Sequence, residues 1–204
     1  PGLPAATVVP FGAPAAAPLD DADLASTPGE PLRLLYVGAL DLRKGVQYLC
    51  AAQRHWHGCA TLTVVGRPSA RCAALDAALA SCRRVETLPH ADVLAEMRRS
   101  PVFVFPTLFE GMALVVLEAM SQGCAVITTA ESGAEDLIED GVNGFLVPSR
   151  DPDALGAAVL RLHDDRELLA RVRRAAQHTG RASSWERYRA ALLAAAAPPA
   201  ARAA

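Results

Sequence analysis

The 204-residue chain carries 20 Lys plus Arg against 22 Asp plus Glu, a formal charge of −2, too balanced to imply a nucleic-acid or membrane-surface partner. Hydrophobic residues make up 51%, but 42 residues are Ala, so bulky core formers are fewer than that figure suggests, though enough at this length to bury a core. Five cysteines, Cys50, Cys59, Cys72, Cys82 and Cys124, form no C-x-x-C pair and leave one over in any pairing, which argues against a zinc site or a disulfide framework and makes a reducing cytoplasm the default.

In chain order, seven of the 15 prolines fall within residues 1–31. With small residues between them, this stretch is expected to be an extended linker whose one candidate strand is 7–9. No signal-peptide pattern opens the chain and no run of 18 apolar residues occurs; a start on Pro1 is expected of part of something longer. Short apolar runs follow at 32–38, 60–66, 85–88, 102–105, 125–129 and 144–147, each too continuous for a half-wet antiparallel strand. Between them lie helical patterns: 45–56, then Leu75, Ala78 and Leu79, then Val93, Leu94 and Met97, then Val116, Leu117 and Met120. The alternation predicts an α/β parallel sheet wound by right-handed crossovers. Three helices close the chain, 152–163 opened by Pro152, then 165–177 and 184–196, before a low-complexity Ala and Pro tail.

In such sheets ligands gather where the strands end, which directs attention to the following loops. The first runs from Gly38 to Gly45 and carries Arg43 and Lys44. Glycine at both ends, a helix start and two cations suit a phosphate, while an exposed turn with two surface cations remains the plain alternative. It has neither G-x-G-x-x-G nor the Walker pattern, which argues against a dinucleotide oxidoreductase and a P-loop NTPase.

The second leaves the strand at Phe105, carries Glu110 and Gly111, and enters a helix expected near Met112 that bears Glu118. Were this stretch helical throughout, the two carboxylates would stand roughly 12 Å apart, too far for paired-carboxylate hydrolysis at about 5 to 9.5 Å. The spacing suits two ends of one elongated ligand, with free N–H groups at 112–114 meeting a diphosphate between them. Glu118 is otherwise an ordinary solvated residue. Its neighbours Leu117, Ala119 and Met120 are apolar, however, and an unpaired buried carboxylate is costly, so something polar should meet it.

The E-x7-E pattern of Glu110 and Glu118, preceded by the run from Phe103 to Pro106 and followed by that from Ser121 to Thr129, resembles the donor-binding half of a retaining GT-B glycosyltransferase of the family 4 type. The resemblance extends to Gly38 with Lys44 and Gly45, to the Val65 to Pro68 turn, to the segment from Glu131 to Val147, to Ser183 to Glu186, and to Val9 to Gly12. It implies a Rossmann-like parallel sheet of about six strands with helices on both faces and C-terminal helices, one half of a GT-B fold. Residues 1–31 would lead from a missing N-terminal acceptor domain, 32–195 would bind the donor, and 196–204 would be a disordered tail.

By the same resemblance Glu110 would face the donor sugar and Lys44 would neutralise the leaving diphosphate, the two catalytic roles. Gly38, Arg43, Gly111, Met112, Ala113, Leu114 and Glu118 would bind the donor, with the 111–114 backbone at the β-phosphate and Glu118 on the ribose hydroxyls. The donor would be a nucleotide-diphosphate sugar, with no metal and no other cofactor. The partner would be an acceptor domain or a separate acceptor subunit, without which transfer should be poor or absent, and any peripheral membrane association would run through that missing half. Three positions depart from the family: Ala39 stands where arginine is common, Ala113 where glycine is frequent and Ala125 where proline is. A rival reading is a non-catalytic nucleotide-sugar binding or interaction module, and a nucleotide-sugar epimerase is a further enzyme alternative.

Other features have structural explanations. Ser132 and Glu135 fit a capping box that opens a helix, with contact between this loop and the donor as the alternative, and Asn143 with Gly144 fit a tight turn before a strand. His55, Trp56 and His57 sit at a helix end. His90 suits a cap or surface position, with a base-side or acceptor-side contact as the alternative, and Arg67 could meet phosphate or solvent.

Overall fold

The computed structural model describes residues 7–25, 27 and 29–196. Of the expected 196–204 tail, residues 197–204 lie outside them, as do residues 1–6, 26 and 28 of the expected linker. Six strands, β1 (Leu32–Val37), β2 (Ala60–Val65), β3 (Arg83–Val85), β4 (Val102–Phe105), β5 (Ala125–Thr128) and β6 (Phe145–Leu146), form one sheet in the order β3-β2-β1-β4-β5-β6. Every pairing is parallel. All four residues of β4 and of β5 are buried, as a sheet covered on both faces requires.

Helices α2 (Val46–Ala52), α3 (Ala73–Ala78), α4 (His90–Arg99) and α5 (Leu114–Ser121) make the crossovers, and α6 (Pro152–Asp164), α7 (Arg166–Ala182) and α8 (Trp185–Ala196) close the chain. A four-residue helix, α1 (Asp21–Leu24), precedes the sheet, its first turn closed by an Asp20 and Asp23 capping box. This architecture is the expected Rossmann-like one. The strand order reverses between β1 and β4, so the loops after these two strands diverge and leave a crevice between them.

Three local expectations fail. Residues 7–9 form no strand: Val8 is exposed, and the neighbouring chain instead pairs at Ala13, which bridges to Ser184. The third strand lies at 83–85 rather than 85–88, because its register pairs Arg83 to Val85 with Thr63 to Val65; Leu88 contributes its apolar side chain to the crevice wall instead. No helix opens at Ser132. Its hydroxyl donates back to the Thr129 carbonyl at 2.8 Å, and the chain makes only a 3-10 turn over Ala130–Ser132.

At the opposite end of the strands, where β1 and β4 begin, the leading segment is clamped to the domain. Arg98 on α4 donates to the carbonyls of Ala17 and Pro18 and pairs with Asp23. Arg173 on α7, 4% exposed, donates to the carbonyls of Gly123 and Asp23. Gln177 accepts from the Leu19 N–H and donates to the carbonyls of Ala17 and Ser121.

Candidate functional site

The crevice at the β1/β4 switch point has a volume of about 430 Å³, and Gly38, Lys44, His90, Glu110, Met112, Ala113, Leu114 and Glu118 all contribute to its walls. Two backbone close approaches shape it. Gly45, at φ +73°, lies so near the Pro106 carbonyl that a β-carbon there would stand 1.7 Å from its oxygen. Only glycine allows both the left-handed turn and the contact that brings the Lys44 loop onto the end of β4. Gly133, at φ +71°, similarly lets the turn after β5 press against the Gly111 carbonyl.

Lys44 and Arg43 both reach Glu110. The Lys44 ammonium and the Arg43 guanidinium, the latter at 2.6 Å, donate to the same carboxylate oxygen, Oε1. Lys44 and Glu110 are mostly enclosed, at 17% and 15% side-chain exposure, and Arg43 is half exposed. Lys44 Nζ also stands 5.4 Å from the Phe105 ring centroid, an arrangement that favours a cation. With two cations on one carboxylate, the cluster keeps a formal positive charge facing the crevice.

The loop from Pro106 to Ala113 is not helical, and α5 begins at Leu114 with Ala113 as its N-cap. The premise of the 12 Å estimate therefore fails, and so does part of the expected N–H cradle. Ala113 N–H is taken by the Ser132 carbonyl at 2.9 Å and Val116 N–H by Ala113. Among the described residues, Leu114 and Val115 keep first-turn N–H groups with no backbone acceptor, where an anion is favoured.

Glu118 projects from the second turn of α5, and the polar partner its apolar surroundings demand is His90, whose Nε2 lies 2.8 Å from Oε1. His90 opens α4, so this contact joins the loop after β3 to the site. No sequence pattern marked that pairing. Arg43 and Gly111 do not line the crevice: Arg43 braces the loop through the Phe109 carbonyl at 3.1 Å as well as Glu110, and Gly111 packs under Gly133. Gly38 ends β1 at the floor, its N–H donating to Val65 at 3.0 Å. Beside it, burial pushes the Tyr36 phenol well above its ordinary value, and its hydroxyl donates to the Ala39 carbonyl at 2.8 Å.

Behind these groups stands a set of buried hydroxyls, of which the sequence singled out Ser132 alone, as a helix cap. Thr107, Thr128, Thr129 and Ser132 are each at most 1% exposed. Thr128 Oγ1 donates to Phe105 at 2.7 Å, Thr129 Oγ1 to Thr107 at 2.6 Å, and Thr107 Oγ1 to Arg43 at 3.1 Å. A run of hydroxyls just after apolar strands was the available signal, but it reads equally well as turn chemistry.

Comparison with known proteins identifies the family and the fold. The family model described as glycosyl transferases group 1 matches residues 31–165. The chain is 34% identical over 155 residues to a glycogen synthase of Mycobacterium tuberculosis, covering 72% of this chain and 37% of that protein. Among solved structures, sucrose-phosphate synthase of Thermosynechococcus elongatus is 27% identical with a TM-score of 0.72, covering 90% of this chain and 47% of the other. The Anabaena protein HepE, solved with UDP and glucose, shares the fold at a TM-score of 0.73 and 18% identity, over 80% of this chain and 47% of its own. The chain thus spans well under half the length of the curated relative.

Proposed function

The chain belongs to the glycosyl transferases group 1 family, and on that premise we propose that it is the donor-binding half of a glycosyltransferase that moves a sugar from a nucleotide sugar to an acceptor with retention of configuration. One observation carries the reading: Lys44, Glu110, Glu118 and the first turn of α5 share a single crevice. In this assignment Glu118 takes the ribose hydroxyls, exchanging its His90 partner for them. Leu114 and Val115 N–H meet the diphosphate. Glu110 faces the sugar, and Lys44 passes from Glu110 to the leaving phosphate as negative charge develops there. A mobile cation and a helix end supply that charge stabilisation without a resident metal. The Anabaena protein, solved with UDP and glucose, supports a nucleotide sugar as the donor class.

A site open on one side cannot exclude water or orient an acceptor, so transfer requires a second half, either in the same polypeptide or separately encoded. Helix α8 has no buried residue, and Leu192 and Leu193 stand 46% and 72% exposed; the reading gives this face to that second half. Five unpaired thiols suit a reducing compartment, in keeping with a cytoplasmic location.

Calorimetric titration with UDP, GDP and ADP tests the proposal. At least one should bind, and Glu118→Ala and Lys44→Ala should each weaken it about tenfold or more, the range of a hydrogen bond to a charged group. Absence of binding by all three at millimolar concentration would overturn the donor reading, and binding indifferent to both substitutions would move the site elsewhere.

A further inference from the structure

The geometry assigns to Thr107 the part of a positioning residue that holds the Lys44 loop against the first turn of α5, so that the crevice discriminates a nucleoside diphosphate from the monophosphate. The inference rests on the donor-binding reading and concerns a residue outside the set of groups that would touch the donor.

The Arg43 carbonyl and the Lys44 N–H belong to one rigid peptide plane. That plane is held at both ends. Asp41 Oδ1 accepts the Lys44 N–H at 2.8 Å, while the Arg43 carbonyl accepts two donors, the Leu108 N–H at 2.8 Å and Thr107 Oγ1 at 3.1 Å. Orientation of the plane sets where the Lys44 side chain departs. Thr107 is fully buried, so its hydroxyl has no water to exchange with. Its own carbonyl accepts Thr129 Oγ1 at 2.6 Å, and Thr129 through its carbonyl takes Ser132 N–H and Oγ. The turn that follows anchors the other wall, since the Glu131 and Ser132 carbonyls accept Glu110 N–H at 2.7 Å and Ala113 N–H at 2.9 Å.

Thr107 is therefore the junction through which the loop after β1, the loop after β4 and the end of β5 keep a common register. Loss of its hydroxyl leaves the Arg43 carbonyl with one donor, Leu108 N–H, so that this end of the plane is held by a single bond while Asp41 still holds the other. The group affected is the Lys44 ammonium and its distance from the first turn of α5, which is where a β-phosphate would lie. Glu118 and His90 hang from α5 and α4 and do not pass through this junction, so contacts to the rest of a nucleotide should be untouched.

The test uses the chain as described, with whichever of UDP, GDP and ADP binds wild type most tightly and the matching monophosphate. Thr107→Val should weaken the diphosphate about tenfold, the scale of one hydrogen bond, with the monophosphate changed by less than about twofold. Thr107→Ser, which restores the hydroxyl alone, should recover the wild-type ratio. Thr107→Ala makes the same deletion without branching, should circular dichroism show Thr107→Val unfolded. Equal weakening of both nucleotides, no weakening of either, or failure of Thr107→Ser to restore the ratio would overturn the assignment. A wild-type chain that binds none of the diphosphates removes the donor reading itself, and this inference with it.

Discussion

Arginine meets carboxylate at both ends of the strands, and the surroundings make the two meetings different in kind. Behind α4 and α7, Arg98, Arg173 and Gln177 spend their donors mostly on carbonyls of the chain itself, at Ala17, Pro18, Ser121, Gly123 and Asp23. The bonds to Ala17, Pro18 and Asp23 fix the leading segment to the domain, and those to Ser121 and Gly123 tie α7 to the end of α5. At the β1/β4 crevice, by contrast, Arg43 and Lys44 share a single carboxylate oxygen of Glu110, and the crevice opens beside them. On the proposed reading a ligand takes one cation there and leaves Glu110 the other. The same pairing is structural where most donors meet backbone and exchangeable where one side chain serves two cations next to open space.

Substitutions can break or sharpen that contrast. The largest effect is expected at Arg173: Arg173→Met removes the donors to the buried Gly123 carbonyl and the half-buried Asp23 carbonyl, a loss of about 3 kcal/mol in urea unfolding, while nucleotide affinity of the folded fraction should stay the same. A matching loss of affinity would show that the two ends are coupled. Lys44→Met should do the reverse, costing about 2 kcal/mol of diphosphate affinity and less than about 1 kcal/mol of stability, because Glu110 keeps Arg43. Equal losses in the two measurements would erase the distinction.

Smaller still is Glu110→Gln. With its charge gone the side chain no longer competes for Lys44, so affinity for a nucleoside diphosphate lacking its sugar should rise about threefold by calorimetry; a fall would mean that the carboxylate is not a competitor. The smallest effect concerns pH. The Asp20 backbone N–H first, and Arg98 after it, hold the Asp23 carboxyl below its ordinary 3.8. A lowered carboxyl contributes stability above the unfolded value and loses it as pH falls through the folded one. The stability gap between wild type and Asp23→Asn should therefore be widest near about pH 6 and shrink toward about pH 2, whereas a gap independent of pH would assign the contribution to shape rather than charge.

Much of the sheet was legible because strands covered on both faces must be apolar without interruption, and the runs at 102–105 and 125–128 have no other stable place. The edge was harder to read. Arg83 and Arg84 belong to β3 because pairing, not burial, recruits an edge strand, and the apolar Leu88 that suggested otherwise serves the crevice. At the site, the need of Glu118 for a polar partner could be stated from its neighbours, but not that His90, 28 residues away, would be the one. Thr107 was silent for a related reason: a threonine after a strand and a proline reads as a turn residue, and only the approach of the Arg43 carbonyl makes its hydroxyl a junction.

Residue order alone thus determined the alternation of strand and helix, the buried character of the central strands and the loops worth watching, since each follows from local periodicity and the cost of exposing apolar surface. Which groups those loops would share was decided in three dimensions. Strand order brings β1 beside β4 and β4 beside β5; the first adjacency places Lys44 and Arg43 on one carboxylate 66 and 67 residues away, the second turns Ala113 toward Ser132, and together they gather three strand ends on one buried threonine. Hydrogen bonds are short and directional, so their partners are set by where the packed backbone delivers them.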